Sequence, residues 1–473
     1  MVVHVEVRHG AYADSVALLQ VSRDVAAVEG VEAAQVAMAT PLNVDVLAGM
    51  GFEVPECSPN DMVVAIRLAD EARLPDALAA VDAALRGGPR TSGPVDEEPP
   101  RTTSSALARS GGDLALVSVP GASAVVEAVD ALEAGRDVMV FSDNVPIEHE
   151  VALKRLAAER GLLVMGPDCG TAMVGGVGLG FANVVAAGAG PSVGIVAASG
   201  TGCQQVMSLL SYAGVTVAAA LGVGGRDLSA EVGGLSTREA LRRLDADGSV
   251  DRIVLISKPP DPGVGAEIDQ LAASMTTPVT QAFLGPGRPD LTSAAELVLP
   301  GSGRSERRWP HWSPPAPAAP SAGRPRLRGL FVGGTLCTEA RLITEQLVGA
   351  DAGHTFVDFG DDEYTRGRAH PMIDPTLRLE EIARAAADPQ TAVLLLDMVL
   401  GHGAEPDPSA LLAPAVAAAT RDHGVAVFVA CVGTEGDPQG LTRQAEALAA
   451  AGAEVFLSNR DATTTALDHL DRS

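Results

Sequence analysis

Val193-Gly-Ile-Val-Ala-Ala198 is an apolar run of strand length, Ser199-Gly-Thr-Gly202 is a turn, and Cys203 to Ala213 carries Val206, Leu209, Leu210 and Ala213 at helical spacing. The pattern is strand, glycine turn, helix. A helix that begins directly after a parallel strand turns its unpaired N–H groups and positive dipole end toward whatever lies above the sheet, and glycine lets an anion reach the backbone. Ser199, Gly200, Thr201 and Gly202 are therefore the first candidates for holding a phosphate or another oxyanion. The alternative is an ordinary turn in which a hydroxyl caps the helix.

The same rhythm runs outward in both directions. Strands are expected at Leu114–Val119, Asp137–Phe141 and Leu162–Met165, then at Thr216–Leu221, Arg252–Ile256 and Val279–Ala282, with helices between most of them. This alternation implies parallel sheets with right-handed crossovers. No GxGxxG turn opens the first of these units, so the usual dinucleotide fingerprint is missing. Lys258 follows a strand directly, on the edge where open α/β sheets bind ligands. Gly222-Val-Gly224-Gly225 forms another strand-end turn. After residue 327 the rhythm resumes, and Asp397-Met-Val-Leu-Gly401-His402-Gly403 joins a buried strand to the next helix through glycine. Asp374, Asp397 and Glu435 lie near strand ends, where solvated carboxylates are commonplace.

Composition narrows the function classes. Hydrophobic residues make up 47% of the 473 and aromatic ones 3%, which suits Val-rich strands and Ala-rich helices in layers. The net charge of -26 disfavours nucleic acid or an anionic membrane as a partner. Five scattered cysteines with no CxxC pair suggest neither a disulfide framework nor a metal site. No run approaches the about 18 apolar residues of a membrane span, and the first residues lack a leader pattern, so a cytoplasmic protein is expected.

Gly166-Pro-Asp-Cys169, Val193 to Thr201 and Gly222 to Gly225, in that order, resemble the α subunit of succinyl-CoA synthetase. Leu394 to Gly403 and Val429-Ala-Cys-Val-Gly-Thr-Glu435-Gly436 resemble the ligase domain of its β subunit. A single chain that joins these pieces behind a small N-terminal domain is similar to the FdrA family, as are Leu179-Gly-Phe-Ala-Asn183, Gly225-Arg-Asp-Leu228, Ser257-Lys-Pro-Pro260 and His370-Pro-Met-Ile-Asp-Pro375.

The resemblance implies an α/β, multidomain chain: a small α+β, ferredoxin-like domain (1–86), a linker ending in a short helix (87–112) and a shortened Rossmann-like CoA-binding-type unit (113–190). Two flavodoxin-like ligase-type domains follow (191–303 and 327–473), separated by a Pro-rich linker (304–326). It also implies chemistry. The synthetases relay phosphate through a histidine after the strand matching Val279–Ala282, whereas here Phe283-Leu-Gly-Pro-Gly-Arg-Pro-Asp290 has none. Lys258 stands where their paired glutamate would be and can neutralise a phosphate. FdrA-type proteins resemble a subunit of oxamate carbamoyltransferase, which moves a carbamoyl group between carbamoyl phosphate and a small amide acceptor. On that reading Lys258 and His402 are the catalytic candidates. Ser199, Gly200, Thr201, Gly202, Gly224, Gly225, Gly401, Gly403, Glu435 and Gly436 would bind phosphate or substrate, and the turns at Ser199 and Gly401 would share one cleft. Additional protein subunits and an oligomer are expected, with no metal and no required cofactor. The alternatives are an acyl-CoA ligase holding CoA or a nucleotide at Val119, Pro120 and Gly121, and a noncatalytic scaffold.

Overall fold

The computed structural model describes residues 2–11, 13, 15–85, 100–186, 188, 190–299, 308–316, 323–365 and 368–471. Most of the first linker and parts of the second lie outside the described residues. The chain divides into two compact units, one formed by residues 1–99 with 361–377 and the other by the remainder.

In the first unit β1 (Val2–Arg8), β2 (Val31–Met38) and β3 (Met62–Leu68) form an antiparallel sheet with β3 central. The helices Ser15–Ala26 and Leu74–Leu85 cover one face, where Val21, Val25, Val64, Ile66 and Val81 are buried. The order is that of a ferredoxin-like unit without its last strand. The segment 361–377, expected within the last domain, belongs to this unit. Arg368 donates to Asn43 at 3.3 Å and Arg23 to the Ile373 carbonyl at 3.3 Å. Asp374 pairs with Arg368 at 3.0 Å and accepts from Thr376, which makes it a turn residue.

The second unit holds three sheets. β4 (Leu114–Val117), β5 (Asp137–Val140) and β6 (Val164–Met165) are parallel and in sequence order, a shortened Rossmann-type layer. β7 (Thr171–Val174) and β8 (Val177–Gly180) form a hairpin. It joins the next sheet through β10 rather than β6. That sheet adds β9 (Ser192–Ala198), β10 (Thr216–Gly222), β11 (Arg252–Ser257) and β12 (Val279–Phe283) in the order β12-β11-β9-β10-β7-β8. The third contains β13 (His311–Trp312), β14 (Arg326–Phe331), β15 (Thr355–Asp358), β16 (Thr391–Val399), β17 (Ala426–Val432) and β18 (Glu454–Phe456), ordered β13-β18-β17-β16-β14-β15. β16 and β17 are buried along their whole length, as expected of inner parallel strands. The Trp-containing linker is not simply extended. His311 stacks on Phe456, β13 pairs antiparallel with β18, and the Trp309 indole N–H donates to Glu296 at 3.0 Å.

Buried polar groups fasten these sheets together. Lys154, on the Ile147–Arg160 helix, donates to Glu150 at 2.8 Å, to Asp227 at 2.7 Å and to the Val223 carbonyl at 2.8 Å. Asp227 also receives the Ser236 and Thr237 N–H groups at the start of the Leu235–Ala246 helix. The Gly225-Arg-Asp-Leu228 motif is thereby a joint between the Rossmann-type layer and the neighbouring sheet. Replacing Lys154 with Met removes the ammonium shared by two buried carboxylates, of which Glu150 keeps Arg226 at 2.9 Å, so a loss of about 3 kcal/mol is expected in urea unfolding.

Glu339 forms a second joint, accepting from Leu291 N–H and from Asn459 Nδ2, each at 2.7 Å. Burial, with Asp290 adding to it, pushes its carboxyl up to about 8 from an ordinary 4.5. The folded state then holds a proton that the unfolded chain has released, so the stability contributed by Glu339 is complete below the ordinary value and is lost as pH rises through about 8. Between those values the slope is at most about 1.4 kcal/mol per pH unit. Glu339→Gln should be favoured over wild type increasingly from pH 5 to about pH 8 in denaturant midpoints.

Candidate functional site

Two helices begin face to face. Ser199, in extended conformation (φ −169°), caps the Gly200–Tyr212 helix by accepting from Gly202 N–H at 2.8 Å. The hydroxyl oxygen thus serves the cap, while its proton stays available. Opposite it, β14 runs through Val332-Gly333 into the Gly334–Val348 helix, which has no side-chain cap of its own at Gly333. The carboxylate of buried Asp397, on β16, does that work by accepting from Val332 and Gly333 N–H at 2.8 Å each, and Arg378 donates to it at 3.1 Å. Burial raises the Asp397 carboxyl above its usual range while Arg378 opposes the shift. The Arg378 guanidinium is the charged partner that an ionised carboxylate takes.

The two starts interlock through small residues. A methyl group added at Gly202 would lie 3.1 Å from Thr335 Cγ2 and 3.0 Å from Ile256 Cγ2, and one added at Gly333 would lie 2.8 Å from Thr201 Oγ1. Each glycine receives the other helix's threonine. Lys258, exposed just beyond β11, completes the cluster: a methyl at Gly334 would meet its Nζ at 2.9 Å and Asp358 Oδ2 at 2.2 Å. Lys258 makes no ion pair or hydrogen bond among the described residues. Cys337 lies in the same neighbourhood, but burial, then Asp358 and Asp397, push its thiol far up, which removes it as a nucleophile at neutral pH.

Lys258 and Ser199 to Gly202 are therefore together, as the sequence suggested, but their partner is Gly333-Gly334-Thr335 and not Gly401-His402-Gly403. No helix starts at the latter turn; the next begins at Pro408. Gly401 (φ +136°) lies against the hairpin exit, where a methyl would meet the Phe181 carbonyl at 2.2 Å. Gly403 (φ +70°) faces Gly180 and Phe181. The N–H groups expected to receive an anion are spent on protein: His402 donates to the Ala182 carbonyl at 3.1 Å and Gly401 to Gln439 at 3.3 Å. The His402 ring rests beside Gly178. This turn is a seam between sheets, and the neighbouring Leu400 carbonyl receives Asn183 at 3.0 Å and Gln204 at 2.9 Å.

Three further expectations change in the same way. Glu435 caps the Leu441–Ala450 helix through Thr442, and Gly436 abuts Val184. Gly224 (φ +89°) is a glycine because a methyl would meet the Pro167 carbonyl at 2.6 Å, whereas Gly225 faces open space. In the Val119-Pro120-Gly121 turn, a methyl at Gly121 would meet the Asp143 carbonyl at 2.2 Å, so a side chain there would run into the backbone of Asp143 and Asn144, while Val119 and Pro120 are exposed. Among the described residues no helix is long and apolar enough to cross a membrane, and no cluster of side chains could hold a metal ion.

Comparison with known proteins adds two family matches: residues 1–100 to "AllF, heavy metal-associated domain" and residues 330–468 to "CoA-ligase". The first carries a metal in its name, but Cys57 is the one cysteine in that span, and His9 is paired with Asp61 at 3.1 Å, so the residues do not fit a metal carrier. The chain is 35% identical to the uncharacterized protein YahF of Escherichia coli over 98% of its own length and 97% of that protein's. It is 24% identical to the α subunit of succinate–CoA ligase of Methanothermobacter thermautotrophicus, spanning 41% of this chain and 65% of that subunit. A solved dinucleotide-forming acetyl-coenzyme A synthetase of Ca. Korarchaeum cryptofilum covers 81% of the chain at 15% identity, with a TM-score of 0.32.

If Gly401 serves packing, Gly401→Ala should cost about 2 kcal/mol or more through strain and the carbonyl clash, while Gly225→Ala should stay within about 0.5 kcal/mol of wild type in urea unfolding.

Proposed function

The chain belongs to the family of the Escherichia coli protein YahF, and from that premise we propose that it is a subunit of a carbamoyltransferase acting between carbamoyl phosphate and oxamate. The phosphate would sit where the Gly200 and Gly334 helix starts meet, beside Lys258. One observation carries the reading: two positive dipole ends and the Lys258 ammonium, which makes no ion pair or hydrogen bond among the described residues, converge on glycine backbone, with the Asp358 carboxylate beside them at Gly334.

The chemistry asks little else of the site. The amide nitrogen of oxamate attacks the carbamoyl carbon, a C–N bond forms, and the C–O bond to phosphate breaks with its electron pair leaving on the phosphate. The nitrogen's proton passes to the departing phosphate. Lys258 and the helix N–H groups lower the cost of the charge that gathers on the phosphate oxygens, and two fixed helix starts hold the donor in place. In the reverse direction, phosphate attacks oxalurate and oxamate leaves with the proton. The step needs no redox group. Further subunits and self-association complete the proposed enzyme.

A second reading, an acyl-CoA ligase, is favoured by the match of residues 330–468 to the CoA-ligase family. It is weakened by the chain that crowds Gly121 and by the placement of His402 in a seam. Phosphohistidine after incubation with γ-labelled ATP would favour the ligase.

Calorimetry with carbamoyl phosphate should show binding that falls at least about tenfold in Lys258→Met, equivalent to about 1.4 kcal/mol. With co-purified partners, phosphate release should depend on oxamate. Wild-type protein that binds neither carbamoyl phosphate nor inorganic phosphate would overturn the proposal.

A further inference from the structure

Thr171 lies beside the Gly200 helix start. This residue opens β7 and is 1% exposed. Its hydroxyl finds no hydrogen-bond partner among the described residues. Thr171 Oγ1 lies 3.6 Å from the point where a methyl on Gly200 would be, and Gly170 Cα lies 3.8 Å from the same point. Gly170 and Gly200 are both half-buried, so two residues without side chains lie over the hydroxyl.

A buried hydroxyl without a partner is a cost that a fold normally removes by pairing the group or replacing it with a methyl. Valine would fill the same volume at a strand position that favours it. The retained hydroxyl instead points at the end of a helix whose free N–H groups attract an anion.

We propose that Thr171 is a ligand-binding residue, its hydroxyl donating to an oxygen of the anion held at the Gly200 helix start. The inference rests on the anion-site reading given above. The ligand oxygen is that of a phosphoryl or a carboxylate group, since either accepts a hydroxyl hydrogen and suits a helix N-terminus.

The full chain and its Thr171→Val and Thr171→Ser variants are titrated calorimetrically with inorganic phosphate and, separately, with oxamate. Thr171→Val should weaken binding about tenfold, as expected for a hydrogen bond to a charged group. Thr171→Ser should stay within about twofold of wild type on the same scale. The thermal midpoint of Thr171→Val should equal or exceed that of wild type, which separates lost binding from lost folding. A drop confined to phosphate places the hydroxyl on a phosphoryl oxygen, and one confined to oxamate places it on a carboxylate. Wild-type binding that Thr171→Val leaves unchanged in both titrations overturns the role of Thr171 while the anion site stands. Absence of wild-type binding in both overturns the anion site and this role with it.

Discussion

Two helices that meet start to start oppose like ends of two dipoles, and such an arrangement persists only where negative charge lies close by. Asp397 supplies it from below, buried within hydrogen-bonding distance of Val332 and Gly333. Sterically, the approach depends on Gly202, where a side chain would press on Ser199 Oγ at 2.6 Å, and on Gly333, where it would meet Thr201 Oγ1 at 2.8 Å. Lys258 and Asp358 flank Gly334 at the edge of this meeting.

The rest of the second unit keeps that meeting in register. Lys154, Glu150 and Asp227 lock the Rossmann-type layer to the neighbouring sheet. Asp437 accepts from Asn183 at 2.8 Å and from Thr434 N–H at 2.7 Å, tying the exit of the β7–β8 hairpin to the end of β17. Glu339 ties the Gly334 helix to Leu291 and Asn459. Each joint is a buried polar group satisfied from more than one chain segment, so displacing any partner leaves charge or a donor unpaired. Several motifs that resemble family signatures, among them Asp227 and Asn183, are explained by this role.

The sequence by itself determined the layers. Period and length placed the strands of both ligase-type sheets, because buried parallel strands must be apolar runs and the helices between them must carry an apolar face. It also marked the Ser199 turn and Lys258, since a strand end followed by glycine and hydroxyl residues is a local feature. Val332-Gly-Gly-Thr335 bears the same local signature and could have been singled out on the same grounds; the histidine at 402 drew attention to a turn at which no helix begins.

Which glycines face a cleft and which face a neighbouring chain was decided only by tertiary structure. Gly225, Gly334 and Gly401 all sit in turns near strand ends, yet one borders open space, one borders Lys258 and Asp358, and one is pressed against a carbonyl. Glycine records that a side chain is absent, not what occupies its place. For the same reason the Thr171 hydroxyl, without a partner among the described residues, could not be seen in the sequence, because a hydrogen bond left unmade depends on atoms far away along the chain.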